Sequence, residues 1–307
     1  MKYTYRDAGV DVERGETFAE HIRRAVKHPE WLYEEPTGYA AILNFTNPPI
    51  AVTADGIGTK LILHRKYGRW RDAAMDLVAM NYNDLVAVGA KPLAFLDYLG
   101  VERISEEHFE FVSCLIKILE ELGMSLVAGE TAEMPGIYGG EWDAVGFCIG
   151  VLIQRPPVED VNPGDVILGL KASGFHSNGW TLIRRILNEE NLSLTSLSFD
   201  LLSGTRIYSE TLEVLGDVKA LAHVTGGGIV RALKRILKGL GAHLELKRRD
   251  YVDWVLRYVD FQEALSTFNM GYGMILVVDE EKVNDVTRKI GAEILGHVKH
   301  GNIEIIY

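Results

Sequence analysis

Ile50-Ala51-Val52-Thr53 runs into Asp55-Gly56-Ile57-Gly58-Thr59-Lys60, and this passage from a strand-like run into a glycine turn decides how the chain is organised. Glycine lets backbone N–H groups approach a phosphate closely, and a lysine beside such a turn suits the same anion. The spacing fits neither the Walker A pattern nor the Rossmann fingerprint. It therefore predicts an ATP-phosphate site of another class, although a turn that merely connects two elements is the alternative. The candidate residues are Gly56, Gly58, Thr59 and Lys60.

Carboxylates recur where strand-like runs end, and carboxylate oxygens are ligands for the Mg²⁺ that accompanies nucleotide phosphates. Asp55 follows the first run, and Glu130-Thr131-Ala132-Glu133-Met134-Pro135 is expected to form a turn after the run 125–128. The pattern predicts a shared Mg²⁺ site. Glu130 and Glu133 acting as a capping pair on a loop is the other interpretation.

The helix expected over 71–88 carries one more carboxylate. Leu77, Asn81, Asp84 and Val88 are spaced so that they share one face, and that face is otherwise apolar. A carboxylate there is costly unless it is paired or binds a metal. Capping of a neighbouring loop is the alternative for Asp84, but together with Asp55 and Glu130 we expect a metal site.

Two glycine-rich loops in the second half each follow a strand-like run and open a helix. In Thr225-Gly226-Gly227-Gly228, bare N–H groups at a helix N-terminus would form an anion site, or the glycines would simply start a flexible helix. Ser173-Gly174-Phe175-His176-Ser177-Asn178-Gly179 adds hydrogen-bonding side chains and a histidine. A single loop histidine such as His176 is more often only solvated.

Strands and helices alternate along the chain, which indicates two α+β domains. The predicted boundary lies between 155 and 156, because Gln154-Arg155-Pro156-Pro157 and Asn162-Pro163-Gly164-Asp165 are turn signals. The expected helices cover 71–88, 105–122, 180–188 and 228–238. The expected strands cover 93–98, 125–128, 143–153, 165–170, 220–224, 270–278, 294–298 and 302–306.

Composition limits the class of partner. The 307 residues carry a net charge of −11, which makes nucleic acid an unsuitable partner. The N-terminus lacks an apolar signal region, and no apolar run approaches the roughly 20 residues that span a bilayer. We therefore expect a cytoplasmic protein without a membrane partner.

Several motifs together resemble one family. Asp84-x4-Gly89-Ala90-x-Pro92 is similar to the signature of an ATP-binding superfamily that includes aminoimidazole ribonucleotide synthetase, selenophosphate synthetase and thiamin monophosphate kinase. Within it, the chain most resembles the synthetase family, also called phosphoribosylformylglycinamidine cyclo-ligases. The motifs that carry this resemblance lie in the family's order at 5–11, 55–60, 83–85, 95–98, 129–136, 174–179, 205–208, 223–228 and 268–274.

The resemblance implies an ATP-dependent enzyme of de novo purine biosynthesis. It would close formylglycinamidine ribonucleotide to aminoimidazole ribonucleotide and release ADP and phosphate. The resemblance implies a homodimer of two-domain α+β chains. The N-terminal domain (1–155) would have a mixed β-sheet with helices, bind ATP and form a barrel-like dimer interface. The C-terminal domain (156–307) would be an α/β sandwich that binds the substrate phosphate.

The resemblance also implies roles for individual residues. Asp55, Asp84 and Glu130 would bind Mg²⁺, with Asp97 and Glu133 as further candidates, and Asp55, Asp84, Lys60 and His176 would act in catalysis. The ATP contacts would come from Lys27, Gly56, Gly58, Thr59, Lys60, Asp97, Glu130 and Thr131. The contacts to the ribose phosphate of the substrate would come from Ser177, Asn178, Thr225, Gly226, Gly227 and Gly228.

The segment 34–41 departs from the family pattern, because it has one glycine and two carboxylates where the family has a glycine-rich stretch. Two alternatives therefore remain beside the cyclo-ligase. One is a small-molecule kinase of the same superfamily, and the other is a non-catalytic nucleotide-binding paralogue.

Overall fold

The computed structural model describes residues 2–25, 29–33 and 35–307, in which the strands form two separate six-stranded sheets. The first half contains four helices in this described part: α1 (Val12–Ala25), α2 (Leu61–Tyr67), α3 (Trp70–Ala87) and α4 (Glu106–Glu121). Its strands are β1 (Leu32–Tyr33), β2 (Ala41–Leu43), β3 (Ile50–Gly56), β4 (Ala90–Val101), β5 (Ser125–Glu133) and β6 (Trp142–Leu152).

The second half begins after a connection that contains the predicted boundary. Its strands are β7 (Val166–Lys171), β8 (Ala220–His223), β9 (Gly241–Glu245), β10 (Tyr272–Val278), β11 (Glu293–Lys299) and β12 (Ile303–Ile306). Its helices are α5 (Trp180–Glu189), α6 (Gly228–Leu237), α7 (Asp250–Val255), α8 (Phe261–Thr267) and α9 (Val283–Ile290). The elements predicted from sequence are confirmed, with shifted ends. The elements that were not predicted are α1, α2, β1 and β2 of the first half, and β9 and the short helices α7 to α9 of the second.

The two sheets share a plan. The first has the order β1-β2-β3-β6-β4-β5, and the second has the order β12-β9-β11-β7-β10-β8. Each is antiparallel except for one parallel pair at an edge, β4 with β5 and β12 with β9. The fold is therefore α+β with two mixed sheets, and the first sheet is open within one chain.

The strand β5 corrects one expectation. Glu130 to Glu133 were predicted to form a turn, but they continue the strand in parallel register with Tyr98 to Val101 of β4. The long neighbour β4 supplies ladder hydrogen bonds over this whole stretch, and that tertiary pairing overrides the local signal.

The long helix α3 lies at the centre of the molecule and is buried along most of its length. One side covers the first sheet and packs against α4, whose Phe111, Leu115, Ile118 and Leu119 are buried at helical spacing. The other side of α3 faces the second domain. There Asp72 accepts a hydrogen bond from the Gly204 N–H at 2.8 Å, and Asn83 accepts one from the Tyr208 N–H at 2.9 Å.

On the side of α3 that faces the second domain, the acceptors of Asp72 and Asn83 are therefore paired, because the backbone of the second domain supplies the donors. Within the described residues, no helix is long and apolar enough to cross a membrane.

Candidate functional site

A row of residues crosses the first sheet beneath α3. Asp55 of β3 is in register with Gly146 of β6, which is in register with Asp97 of β4 and then with Gly129 of β5. Residues in register point to the same face of a sheet, so both carboxylates face the helix. A Cβ on Gly129 would lie 1.9 Å from Asp97 Oδ1, so the glycine leaves the space that this carboxylate occupies.

Asp55 and Asp84 come close enough to influence each other. Burial raises the pKa of Asp55 to about 6, and the nearby charge of Asp84 contributes to the same rise. Asp84 Oδ1 lies 2.8 Å from His223 Nδ1, and Asp55 Oδ1 accepts a hydrogen bond from the Gly56 N–H at 2.7 Å. Two neighbouring carboxylates at a partly buried position are an environment that a divalent cation would stabilise.

Glu130 is not brought to this pair. It follows Gly129 in β5 and is in register with Tyr98, so its side chain leaves the sheet on the face opposite to Asp55 and Asp97. Among the described residues, no group of three His, Cys, Asp or Glu side chains is assembled for a metal ion. Within one chain, the structure groups only Asp55 and Asp84 of the three predicted ligands. Thr131 and Glu133 lie further along β5, where Glu133 accepts a hydrogen bond from the Ile104 N–H.

Three glycine-containing loops meet above this carboxylate pair. A Cβ on Gly58 would lie 3.8 Å from the Ser177 carbonyl oxygen, and one on Gly226 would lie 3.6 Å from Asn178 Oδ1. The Thr59 hydroxyl is 3.1 Å from the Thr181 hydroxyl. The predicted ATP loop of the first domain and the predicted substrate loops of the second domain therefore lie next to each other where the domains meet.

The glycine run before α6 has its shape fixed by packing. Gly227 and Gly228 adopt positive φ angles of 90° and 63°, and a Cβ on Gly228 would lie 2.3 Å from the Leu265 carbonyl oxygen. The N–H groups of Gly228 and Ile229 already donate to carbonyls of the chain. In the described part of the chain, the amides of Gly226 and Gly227 are therefore those left for an anion.

A cavity of about 440 Å³ adjoins this glycine run. Its lining includes Gly227 just before α6, Lys234 and Arg231 of α6, and Arg6 from the N-terminal segment. The lining also has carboxylates, and Arg6 pairs with Asp11 at 3.1 Å and Arg231 with Glu16 at 3.4 Å. Asn178 contributes a second feature, because its buried Nδ2 atom has no hydrogen-bond partner among the described residues. The unused amide donor of Asn178 beside a glycine run suits a phosphorylated ligand, with Lys234 as the nearby cation.

Lys60 occupies a different place from the one predicted. Its side chain is fully buried, and its ammonium group binds Asp76 Oδ1 at 3.0 Å, Asp76 Oδ2 at 2.9 Å and the Ser203 carbonyl at 2.6 Å. Three acceptors use the three hydrogens of the ammonium group. In this arrangement Lys60 joins α3 to the second domain and is not available to a phosphate.

His176 is also internal. It is 1% exposed, and burial lowers its pKa to about 3, so the ring is neutral at physiological pH. Its Nε2 accepts a hydrogen bond from the Ser173 N–H at 3.2 Å, and its backbone has a φ of 60°. A Cβ on Gly273 would meet the ring at 2.3 Å. These contacts fit a residue that shapes the loop 173–179, and they do not fit a solvated histidine.

Sequence reasoning assigned no role to His223, Tyr39 or Arg235. His223 stands two residues before the glycine loop that begins at Thr225, and that position was the only signal in the sequence. Tyr39 lies in the altered segment 34–41 and is buried beneath the guanidinium of Arg235, 4.5 Å from its ring centroid. The predicted ATP contact Lys27 lies outside the described residues.

Comparison with known proteins identifies relatives along the whole chain. The family described as AIR synthase related protein, N-terminal domain, matches residues 38–152, and the corresponding C-terminal domain matches residues 162–307. The chain is 35% identical over 336 residues to the phosphoribosylformylglycinamidine cyclo-ligase of Caldanaerobacter subterraneus subsp. tengcongensis, covering 98% of this chain and 99% of the relative. It is 35% identical over 329 residues to the enzyme of the same name from Methanosarcina mazei, covering 98% of this chain and 96% of the relative.

Among solved structures, the hydrogenase maturation protein HypE in complex with ATP has a similar fold. The TM-score is 0.64 at 20% identity, with 82% of this chain and 77% of that chain covered.

Proposed function

Since this chain belongs to the phosphoribosylformylglycinamidine cyclo-ligase family, we propose that it uses ATP to close the imidazole ring of aminoimidazole ribonucleotide during purine biosynthesis. The substrate is formylglycinamidine ribonucleotide, and the other products are ADP and phosphate. The observation that carries this proposal is the meeting of three glycine-containing loops with Asp55 and Asp84 between the domains. Such a site can hold a nucleotide and a ribonucleotide next to each other.

The chemistry needs two ligands in fixed relative positions. The formyl oxygen is a poor leaving group until it receives the γ-phosphoryl group of ATP. A nitrogen of the substrate then attacks the formyl carbon, the carbon–oxygen bond breaks, and phosphate leaves. Positioning and charge neutralisation supply most of the catalysis in such reactions. Loops from two domains that contact each other through Gly58 and Ser177 provide that positioning.

Mg²⁺ fits the carboxylate pair. Asp55 has a raised pKa beside Asp84, and a cation between them would lower the cost of keeping both ionised. Asp55 and Asp84 would hold Mg²⁺, and the bound cation would neutralise charge on the nucleotide phosphates. Glu130, Glu133, Asp97 and Thr131 stay predictions as ATP or metal contacts, and Lys60 is left out of the phosphate site.

The substrate phosphate would bind at the start of α6. Gly226 and Gly227 offer free amides, and Arg231 and Lys234 line the adjoining cavity. Thr225 and Asn178 stand beside them as further polar contacts. His176 supports the loop 173–179 from inside and takes no part in proton transfer.

A homodimer is part of the proposal. The face of the first sheet away from α3 carries exposed apolar side chains, including Leu93 (42%), Val127 (56%), Phe147 (42%) and Ile149 (36%). Several exposed apolar side chains on one sheet suit a surface that a partner covers. A second copy docked there would give the barrel-like interface that the family resemblance implies. A cytoplasmic location remains a prediction from the sequence.

The proposal is tested with purified protein and Mg-ATP, with and without formylglycinamidine ribonucleotide. ADP release and the diazo-coupling colour of the aminoimidazole product should rise together, and only when the ribonucleotide is present. A phosphorylated product without the coloured amine would support the superfamily kinase. ATP binding with no turnover would support the paralogue.

The variant Asp84→Asn tests the metal assignment. It keeps an oxygen for the bond to His223 but removes the charge next to Asp55, so turnover should fall by at least about 100-fold while the protein stays folded. Asp279→Asn is the control, because this exposed aspartate pairs with Lys219 on the surface. Normal turnover of Asp84→Asn would disprove the assignment.

A further inference from the structure

A buried carboxylate organises hydrogen bonds behind the proposed site. Asp76 on α3 accepts from Lys60 Nζ with both oxygens, and its Oδ1 also accepts from the Thr205 N–H at 2.8 Å and the Thr205 hydroxyl at 2.6 Å. His64 Nε2 lies 2.7 Å from Oδ2. Each of these neighbours can supply a hydrogen, so Asp76 has only donors around it and acts as an acceptor alone.

The carboxylate is therefore ionised. Burial by itself raises the pKa of Asp76, but the charge of Lys60 and the bonds from His64 and Thr205 outweigh burial, and the pKa lies below its ordinary value. An ionised carboxylate has no hydrogen to give. The single hydroxyl hydrogen of Thr205 must then point at Asp76.

The direction of this bond fixes the next one. The Thr205 hydroxyl oxygen is 3.0 Å from the Ser177 hydroxyl oxygen. Because Thr205 has no second hydrogen, Ser177 is the donor in this pair and Thr205 is the acceptor. The hydroxyl hydrogen of Ser177 is thus committed to the protein, and Ser177 presents only lone pairs to the site between the domains.

We propose that Ser177 accepts a hydrogen bond from a donor group of the bound ribonucleotide, an amidine N–H or a ribose O–H, and does not bind its phosphate. Asp76 is the positioning residue that sets this polarity through Thr205. The inference rests on the proposed function and refines it, since the sequence placed Ser177 at the substrate phosphate. Phosphate oxygens at the pH of the cell mainly accept hydrogen bonds, so lone pairs of Ser177 would repel them.

The first test compares Ser177→Ala with the wild-type protein by calorimetric binding of three probes. Inorganic phosphate should bind equally well to both, whereas formylglycinamidine ribonucleotide should bind about 3- to 10-fold more weakly to the variant. Ser173→Ala is the control in the same loop, because the Ser173 hydroxyl donates internally to the Gly204 carbonyl. Weaker binding of inorganic phosphate to Ser177→Ala, but not to Ser173→Ala, would overturn the proposal.

The third probe separates the two donor groups. Formylglycinamide ribonucleotide has a carbonyl oxygen in place of the amidine nitrogen and keeps the ribose hydroxyls. If the amidine is the donor, Ser177→Ala weakens the binding of the amidine compound only. If the donor is a group that both compounds keep, a ribose hydroxyl or the N–H linked to the ribose, both ribonucleotides lose the same factor. Equal affinity of the variant and the wild type for all three probes would overturn the proposal.

A second variant tests the relay. Thr205→Val removes the oxygen that holds the Ser177 hydrogen, so the Ser177 hydroxyl can rotate and donate. Because the freed hydroxyl can still accept, binding of the amidine ribonucleotide should weaken by no more than the about 3- to 10-fold of Ser177→Ala, and the double variant should lose less than the product of the two single losses. Thr211→Val is the matched control, because the Thr211 hydroxyl is equally buried but has no hydrogen-bond partner among the described residues.

Fully additive losses in the double variant would mean that Thr205 does not set the polarity of Ser177. Turnover of the wild-type protein is measured separately. A failure of the proposed cyclo-ligase function would appear there, and a failure of the Ser177 assignment would appear only in the binding of the variants.

Discussion

Replacing His176 should make the protein less sensitive to acid. The ring is buried, and its pKa of about 3 compares with an ordinary value of 6.5. Between these two values the unfolded chain binds a proton that the folded chain does not. Stability therefore falls as the pH drops through 6.5, and His176→Asn removes this contribution. Asparagine suits the site because it tolerates the positive φ of 60°.

The magnitude follows from the two pKa values. Each pH unit between them changes the free energy of unfolding by about 1.4 kcal/mol. At about pH 5, His176 should therefore lower the free energy of unfolding of the wild-type protein by about 2 kcal/mol relative to about pH 8. His64 and His108 also have lowered pKa values because of burial, but both remain in the variant and cancel in the comparison.

Urea denaturation at the two pH values measures the effect. The loss of unfolding free energy on acidification should be about 2 kcal/mol smaller for His176→Asn than for the wild type. A cavity left by the smaller side chain lowers both values equally and does not enter the difference. His300→Asn, at an exposed histidine, should leave the loss unchanged. An acid loss in His176→Asn as large as that of the wild type would refute the reasoning.

Two further substitutions test a buried ion pair and a close packing contact, and a third serves as a control. Asp76→Asn leaves the buried Lys60 ammonium without its counter-charge, so the free energy of unfolding should fall by about 3–5 kcal/mol in urea denaturation; a loss below about 1 kcal/mol would contradict the ion pair. Gly146→Ala would place a Cβ 2.4 Å from Phe95 and should cost about 1–3 kcal/mol. Gly15→Ala, at an open position within α1, should instead stabilise by about 0.5–1 kcal/mol, and similar results for the two alanines would argue against the close packing at Gly146.

The sequence predicted the secondary structure of the long elements well because their apolar periodicity is strong. It identified the helix at α3 but considered only the face with Asn81 and Asp84. The second polar face, with Asp72, Asp76 and Asn83, is satisfied by loops far along the chain. No pattern in the sequence around α3 indicates which distant loop pairs with it, so the contact between the domains could not be predicted.

The motifs nominated residues for the candidate site but did not predict their contacts. The structure places Gly58 near Ser177 and Gly226 near Asn178, and their roles as ATP and substrate contacts stay predictions. Lys60 does not lie where the motif predicted. A lysine after a glycine turn can pair with a phosphate or with a buried carboxylate, and the motif does not distinguish the two partners. Glu130 does not join Asp55 and Asp84 because the strand β5 extends past it. Side chains alternate between the two faces of a strand, so Glu130 points to the face opposite to Asp55.

The central position of α3 has a consequence for the evolution of such chains. A recombination event that exchanged one half of the gene for that of a distant relative would separate Asp72, Asp76 and Asn83 from the backbone groups that match them. The halves look like interchangeable modules, each with its own six-stranded sheet. We nevertheless expect the two halves to be inherited together. The contact between them depends on hydrogen bonds that join residues more than 120 positions apart in the chain.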